Sequence, residues 1–375
     1  PYLTSAMGVA FVKGLQGDDP EHLKLVATAK HYAVHSGPER DRHHFDAQID
    51  ERDLRDTYLP AFEALVREAN VEAVMGAYNR FRGEPCCASP TLLEQILRQE
   101  WGFDGHVVSD CWAIVDIYAH HKVVDTQAEA AALAINNGCD LECGSVYDAI
   151  LEAVELGLLD EATIERAVRR LLDARFRLGM FDPPEQSPYG QVPYSVIDSE
   201  PHRALALEAA RESIVLLKND ALLPLPKTLD SVAVVGPNAD DLMVLLGNYN
   251  GTPSQGATLL AGIRSKLDPQ ATVYHARGCA LADGVPNVEP IPAACLRPEA
   301  HEAGAVGLTG CYYDNEHWDG APSFSRTDQL VDFVWKDTSP ISGDWGDSFA
   351  VRWTGYLIAP ASGAYQIGVS GHNQY

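Results

Sequence analysis

The chain has 375 residues, 46% hydrophobic and 22% charged, which is enough to bury more than one core and to be built as two or three domains. Its 53 acidic residues outnumber 28 basic ones, and a formal net charge of −25 argues against nucleic acid or an anionic membrane as partner while suiting a neutral ligand such as a sugar. No apolar run approaches the roughly 20 residues of a membrane-spanning helix. The eight cysteines are too sparse for a disulfide scaffold and lack the CxxC spacing of a zinc framework.

From Leu25 to about Asp182 short apolar runs alternate with helical patterns, the order that yields parallel strands joined by crossover helices. The predicted strands are Leu25–Tyr32, Glu72–Tyr78, His106–Asp110 and Asp140–Cys143, each rich in small or β-branched residues. Asp50 is placed to cap a helix whose Leu54, Tyr58, Leu59, Phe62, Leu65 and Val66 form one apolar stripe, and Ser89-Pro90 opens the next. Further helices are predicted over Thr126–Asn137, Val146–Gly157 and Asp160–Leu178, the last ending at Gly179. Only four β/α units are visible where a closed barrel needs eight, so the expectation is a partial (β/α)8 TIM-type barrel lacking its start.

The proline-rich stretch 184–199 reads as a linker. A second α/β domain follows over 200–304, with a helix at His202–Lys218 and parallel strands at Ser231–Gly236 and Ala271–Tyr274. SVAVVGPN (231–238) lacks the G-x-G-x-x-G pattern, so no dinucleotide cofactor is assigned to it. From about Ala305 the texture becomes aromatic-rich and alternating, as in Phe349–Tyr356 and Tyr365–Val369, and 305–375 is read as all-β.

In barrels of parallel strands the chemistry sits where strands end at the carboxyl face. Here those ends carry Lys30-His31-Tyr32, Tyr78-Asn79, Ser109-Asp110 and Glu142. Alone, Lys30-His31 reads equally as a solvated strand end. Together with the other ends it forms a set of donors and carboxylates suited to a neutral polyol and to the positive charge of an oxocarbenium-like transition state.

Ala29-Lys30-His31-Tyr32, Met75-Gly76-Ala77-Tyr78-Asn79, Cys86-Cys87-Ala88-Ser89-Pro90 and above all WGFDGHVVSD (101–110) resemble glycoside hydrolase family 3 over residues 1 to about 300. The resemblance implies a retaining double displacement with Asp110 as nucleophile and with Lys30, His31 and Tyr78 contacting the sugar. It also implies that the acid/base Glu of two-domain members lies beyond Tyr375 and that a sugar-binding Asp lies upstream of Pro1, so this stretch alone would turn over little. Asp41-Arg42-His43 has the spacing of the Asp-x-His dyad of the single-domain N-acetylglucosaminidase branch, but Ala33-Val34-His35-Ser36 stands where that branch has Pro-Gly-His-Gly. The loop Glu39–His44 is therefore read as solvated surface or subsite wall.

Cys111 after the nucleophile, DLECG (140–144) and the stretch Tyr78–Ala88 resemble the β-xylosidase and α-arabinofuranosidase branch. This implies an exo-acting β-D-xylosidase, with β-glucosidase as the alternative and a non-catalytic carbohydrate-binding fragment as the alternative from another class. Cys111 and Cys143 either pair or remain two reduced thiols, and Glu142 either reads a sugar hydroxyl or forms a salt bridge at the rim. Residues 305–375 resemble a protective-antigen-type β-sandwich inserted in the α/β sandwich domain, in which Trp335, Trp345 and Trp353 serve the core or the carbohydrate subsites, core being the better reading for Trp353. No metal or organic cofactor is implied, the oligomeric state is left open, and the expected location is periplasmic or secreted.

Overall fold

The computed structural model describes residues 1–247 and, from 249 to 369, all but 250, 252, 285–288, 300–303, 334, 336–339 and 341–348. The chain divides into two compact units, Pro1–Tyr194 and Ser195–Tyr375.

The first unit opens with α1 (Tyr2–Gln16), which lies ahead of the first predicted β/α unit and packs on α2 (Pro60–Arg67). Parallel strands β1 (Thr28–Tyr32), β2 (Ala73–Gly76) and β3 (His106–Ser109) follow in that spatial order, with Ala29 opposite Val74 and Val74 opposite Val107. Ala29, Tyr32, Val74 and Val107 join Leu92, Leu93, Ile96, Leu97, Ile114 and Ile117 in one core. Each large side chain of this set contributes about 1.5–3 kcal/mol by leaving water.

The helix signals resolve into real caps. The Asp50 carboxylate accepts from the Asp53 amide at 2.8 Å and the Ser89 hydroxyl from the Leu92 amide at 3.0 Å. Thr126 and Glu129 form a reciprocal capping box at the start of Gln127–Asn136. The single helix expected after Asp50 is instead broken: Glu51–Asp53, a π turn over Leu54–Tyr58, then α2. Pro60 has no N–H to continue the ladder, so the helix restarts there, while Leu54, Leu59 and Val66 still face the core. Val146–Gly157 likewise begins as a 3-10 turn, Val146–Ala149, before Ile150–Glu155.

The fourth predicted strand, Asp140–Cys143, is reduced to one parallel bridge between Val108 and Leu141. Side chains take the ladder positions on either side of it. The Asp140 carboxylate accepts the Val107 amide at 2.9 Å, and the Ser109 hydroxyl accepts the Cys143 amide at 3.0 Å. Both residues are buried, so the segment is anchored to β3 without a strand being formed.

In the second unit the helix Glu200–Ser213 stops short of the predicted Lys218, leaving the helical region at Ile214, where the β-branched pair Ile214-Val215 begins. Strands β4 (Ser231–Val235) and β5 (Thr272–Ala276) pair in parallel through a crossover containing Leu242–Leu246 and Leu259–Arg264. Beyond them β6 (Leu308–Tyr313) lies between antiparallel β7 (Phe324–Asp328) and β8 (Ala350–Thr354). Tyr365–Val369 carries no strand. The Trp353 indole N–H donates to buried Asp328 at 2.8 Å and its ring stacks on Phe333 and Trp335, so it packs against neighbouring side chains of its own unit. Trp345 lies outside the described residues.

Candidate active site

β3 delivers Asp110 to the carboxyl end of the sheet, one residue past its last ladder position, and the neighbouring strands bring the other expected side chains to it. His31, at the end of β1, places Nε2 3.1 Å from Asp110 Oδ2. Tyr78, two residues past β2, donates its phenol proton to Asp110 Oδ1 at 3.1 Å, and the Cys111 amide donates to the same oxygen at 2.8 Å. Asp110 is 9% exposed. Burial pushes its carboxyl pKa up, but the hydrogen bonds from His31, Cys111 and Tyr78 prevail and hold it below the ordinary aspartate value. The result is an ionised carboxylate with both oxygens oriented. Burial and the nearby Asp110 charge push the Tyr78 phenol up to about 12, so it remains a donor at neutral pH.

The other two expected residues are placed differently. Lys30 precedes His31 on β1 and is exposed. Glu142 is half-buried, and its oxygens accept the Val146 amide at 3.0 Å and the Tyr147 amide at 2.6 Å. It therefore caps the 3-10 turn Val146–Ala149, an arrangement that the alternatives of hydroxyl reader and salt bridge did not include. Burial raises its pKa.

Cys111 and Cys143 form a disulfide with a Cα–Cα distance of 4.4 Å. The Trp112 amide donates to the Cys143 carbonyl at 2.6 Å, and Trp112 itself sits at φ 66° and is 56% exposed. A bulky residue in the left-handed region is strained and persists because its surroundings fix it. Here a disulfide and a backbone hydrogen bond hold a solvent-facing indole two residues from Asp110.

The loop that follows β1 covers Tyr78. The Arg42 guanidinium lies 5.4 Å above the Tyr78 ring, and the His43 ring packs edge-on to it at 5.0 Å. The Asp-x-His dyad does not form as spaced: Asp41 pairs with Arg40, whereas His43 Nδ1 meets Asp116 Oδ2 at 2.9 Å. Buried Asn79 ties the rim together, donating to the carbonyls of Ala33, Val34 and Arg80 and meeting His35 Nδ1 at 3.1 Å. Neither the long-range contacts of Asn79 nor the His43–Asp116 pair has a local sequence signal, because those partners stand 44 to 73 residues apart.

Residues 1–174 match the glycosyl hydrolase family 3 N-terminal domain and residues 304–375 match the PA14 domain. A xylan 1,4-beta-xylosidase of Xylanibacter ruminicola is 43% identical over 86% of this chain and 37% of its own length. A probable exo-1,4-beta-xylosidase of Aspergillus clavatus is 46% identical over 66% of this chain and 33% of its own. Among solved structures, a GH3 exo-beta-xylosidase in complex with a xylobiose aziridine activity-based probe aligns at TM-score 0.71 and 37% identity, covering 76% of this chain and 37% of that one. A β-glucosidase from Erythrobacter marinus aligns at TM-score 0.67 and 34% identity over 75% of this chain and 38% of its own. The chain thus spans little more than a third of the relatives it matches. It belongs to glycoside hydrolase family 3, with part of a TIM-type barrel first and a PA14 domain at its far end.

Proposed function

We propose that this chain carries the nucleophile side of a retaining, exo-acting β-D-xylosidase. The observation that supports this most is the environment of Asp110: buried, ionised, and oriented by His31, Tyr78 and the Cys111 amide at the carboxyl end of a parallel strand. In the first step the Asp110 carboxylate attacks the anomeric carbon of a terminal xylose, the glycosidic C–O bond breaks, and the leaving oxygen takes a proton from an acid. Water then hydrolyses the glycosyl-Asp110 ester, its proton passing to the same acid now acting as base. By family resemblance a Glu supplies that acid/base. His31 and Tyr78 hold the carboxylate and, with Lys30, meet the sugar hydroxyls. The solved β-glucosidase supports β-glucosidase as the second reading. A periplasmic or secreted location fits a disulfide beside the nucleophile, since such bonds persist in oxidising compartments.

The test uses dinitrophenyl 2-deoxy-2-fluoro-β-xyloside. Its leaving group departs without a proton, so the ester forms whether or not the acid is present. Mass spectrometry is expected to find one fluoroxylosyl group on the peptide containing Asp110 and none in Asp110→Asn. A label elsewhere, or no label, overturns the assignment, and faster labelling by the corresponding glucoside would favour the second reading.

A further inference from the structure

Beside the nucleophile the structure gathers a set of side chains that the glycosidase reaction does not use. Asp116 and His120 stand one turn apart on the helix Ala113–Ala119 and its C-terminal cap, so both project from one face. His43 joins them from the loop after β1, 73 residues away in sequence. Asp116 is 1% exposed. Its carboxylate is met by imidazole nitrogen on both sides, His120 Nδ1 lying 2.6 Å from Oδ1 and His43 Nδ1 2.9 Å from Oδ2. One ligand atom from each of the three residues lies within 4.8 Å of the others.

We infer that His43, Asp116 and His120 form a binding site for a divalent transition metal ion. A tetrahedral ion with bonds of about 2.0–2.1 Å separates its ligands by about 3.3 Å. The three donors reach that spacing through small rotamer adjustments of the two imidazoles, whose side chains are 42% and 38% exposed. Two nitrogens and one carboxylate are the donor set for zinc, cobalt, nickel or copper. Calcium and magnesium ask for oxygen ligands throughout and are disfavoured. The exposed edges of His43 and His120 leave the remaining coordination position to water. The buried carboxylate supplies the anchor, and the ion would replace the hydrogen bonds between it and the two Nδ1 atoms, each neutral imidazole keeping its one proton on Nε2.

The position gives the site a consequence. The His43 ring that would be fixed by the ion packs at 5.0 Å on Tyr78, whose phenol holds Asp110. An ion there would stiffen the wall of the candidate sugar site at one side chain's remove from the carboxylate. This arrangement stays invisible to spacing rules, since only Asp116 and His120 lie close in sequence.

The test is binding of the metal alone to the full chain, read independently of any glycosidase activity. Cobalt(II) added at pH 7.5 is expected to give a visible absorption band that saturates at one ion per chain, and zinc is expected to displace it. In His43→Gln and in His120→Gln the affinity falls at least about 100-fold, more than the loss seen for groups that merely orient ligands. His22→Gln, which alters a histidine paired elsewhere with Asp19, leaves it unchanged. Circular dichroism and urea unfolding establish that each variant is folded. Absence of a saturable band in the parent chain, or a band of equal affinity in both ligand variants, overturns the inference.

Discussion

Replacing Asp140 by alanine should destabilise the first unit more than any other single polar substitution near the sheet. The carboxylate is 2% exposed, and it accepts Arg98 Nη2 at 2.9 Å, Arg170 Nη1 at 2.7 Å and the Val107 amide at 2.9 Å. Arg98 is itself only 8% exposed, lying 5.4 Å from the Phe103 ring. Alanine would leave this guanidinium buried with the carbonyls of Phe103 and Gly105 and a distant Glu94 as partners. Breaking a buried pair by deleting one member costs about 3–5 kcal/mol. The orphaned Val107 amide adds to that, though the contributions overlap and about 4 kcal/mol is a fair total. Hydrogen exchange is the suitable assay, because it reads the β3 amides directly. A loss of about 4 kcal/mol corresponds to almost 10³-fold less protection for the slowest amides of residues 106–109. Asp140→Leu combined with Arg98→Met and Arg170→Met should recover most of the loss, since an apolar replacement removes the buried charges together. If Asp140→Ala changes protection less than about threefold, the network is not what holds the fourth segment, and the account of why that segment needs no ladder fails.

Tyr78→Phe removes one hydrogen bond to an ionised group, worth about 1.5–3 kcal/mol, and should slow fluoroxyloside labelling of Asp110 roughly 10- to 100-fold without unfolding the chain. The same pair sets the pH response. Asp110 has a folded-state pKa below its unfolded one, so its contribution to stability is present above the unfolded value and is lost as pH falls through the folded value. Labelling of the parent should accordingly persist to lower pH than labelling of Tyr78→Phe, and coincident acid limbs would show that the phenol does not hold the carboxylate. Glu142→Gln should lower thermal stability by about 0.5–2 kcal/mol through the lost cap, leaving the concentration dependence of labelling unchanged, whereas a sugar-reading role would raise it. Under native, non-reducing conditions iodoacetamide should modify exposed Cys279 first and spare Cys86 and Cys139, whose thiols burial pushes up to about 12. Two further modified sites, Cys111 and Cys143, should appear only after reduction.

What could be read from the sequence, and what could not, divides along the range of the interaction. The strand ends of the first three strands, the helix starts at Asp50 and Ser89, and the meeting of His31, Tyr78 and Asp110 were legible. Each follows from a local rule: a cap needs only the next few residues, and parallel strands bring their carboxyl ends to one rim. The fourth segment was misread because the same run of residues supports two solutions. Asp140-Leu141-Glu142-Cys143 has the small, apolar texture of a strand, yet its alternate polar side chains are long or acidic enough to take over backbone duties. Asp140 satisfies the Val107 amide from the side, and Glu142 turns forward to cap Val146 and Tyr147. Once a carboxylate occupies a ladder position, the backbone that would have filled it is freed to turn. That turn carries Cys143 to Cys111 and fixes Trp112 beside the candidate nucleophile. The departure from the strand pattern and the construction of the rim are therefore one event. It predicts that restoring a regular strand at Asp140–Cys143, for instance by Asp140→Val with Glu142→Thr, would cost the disulfide as well as the cap, readable as two newly alkylatable thiols in the unreduced chain.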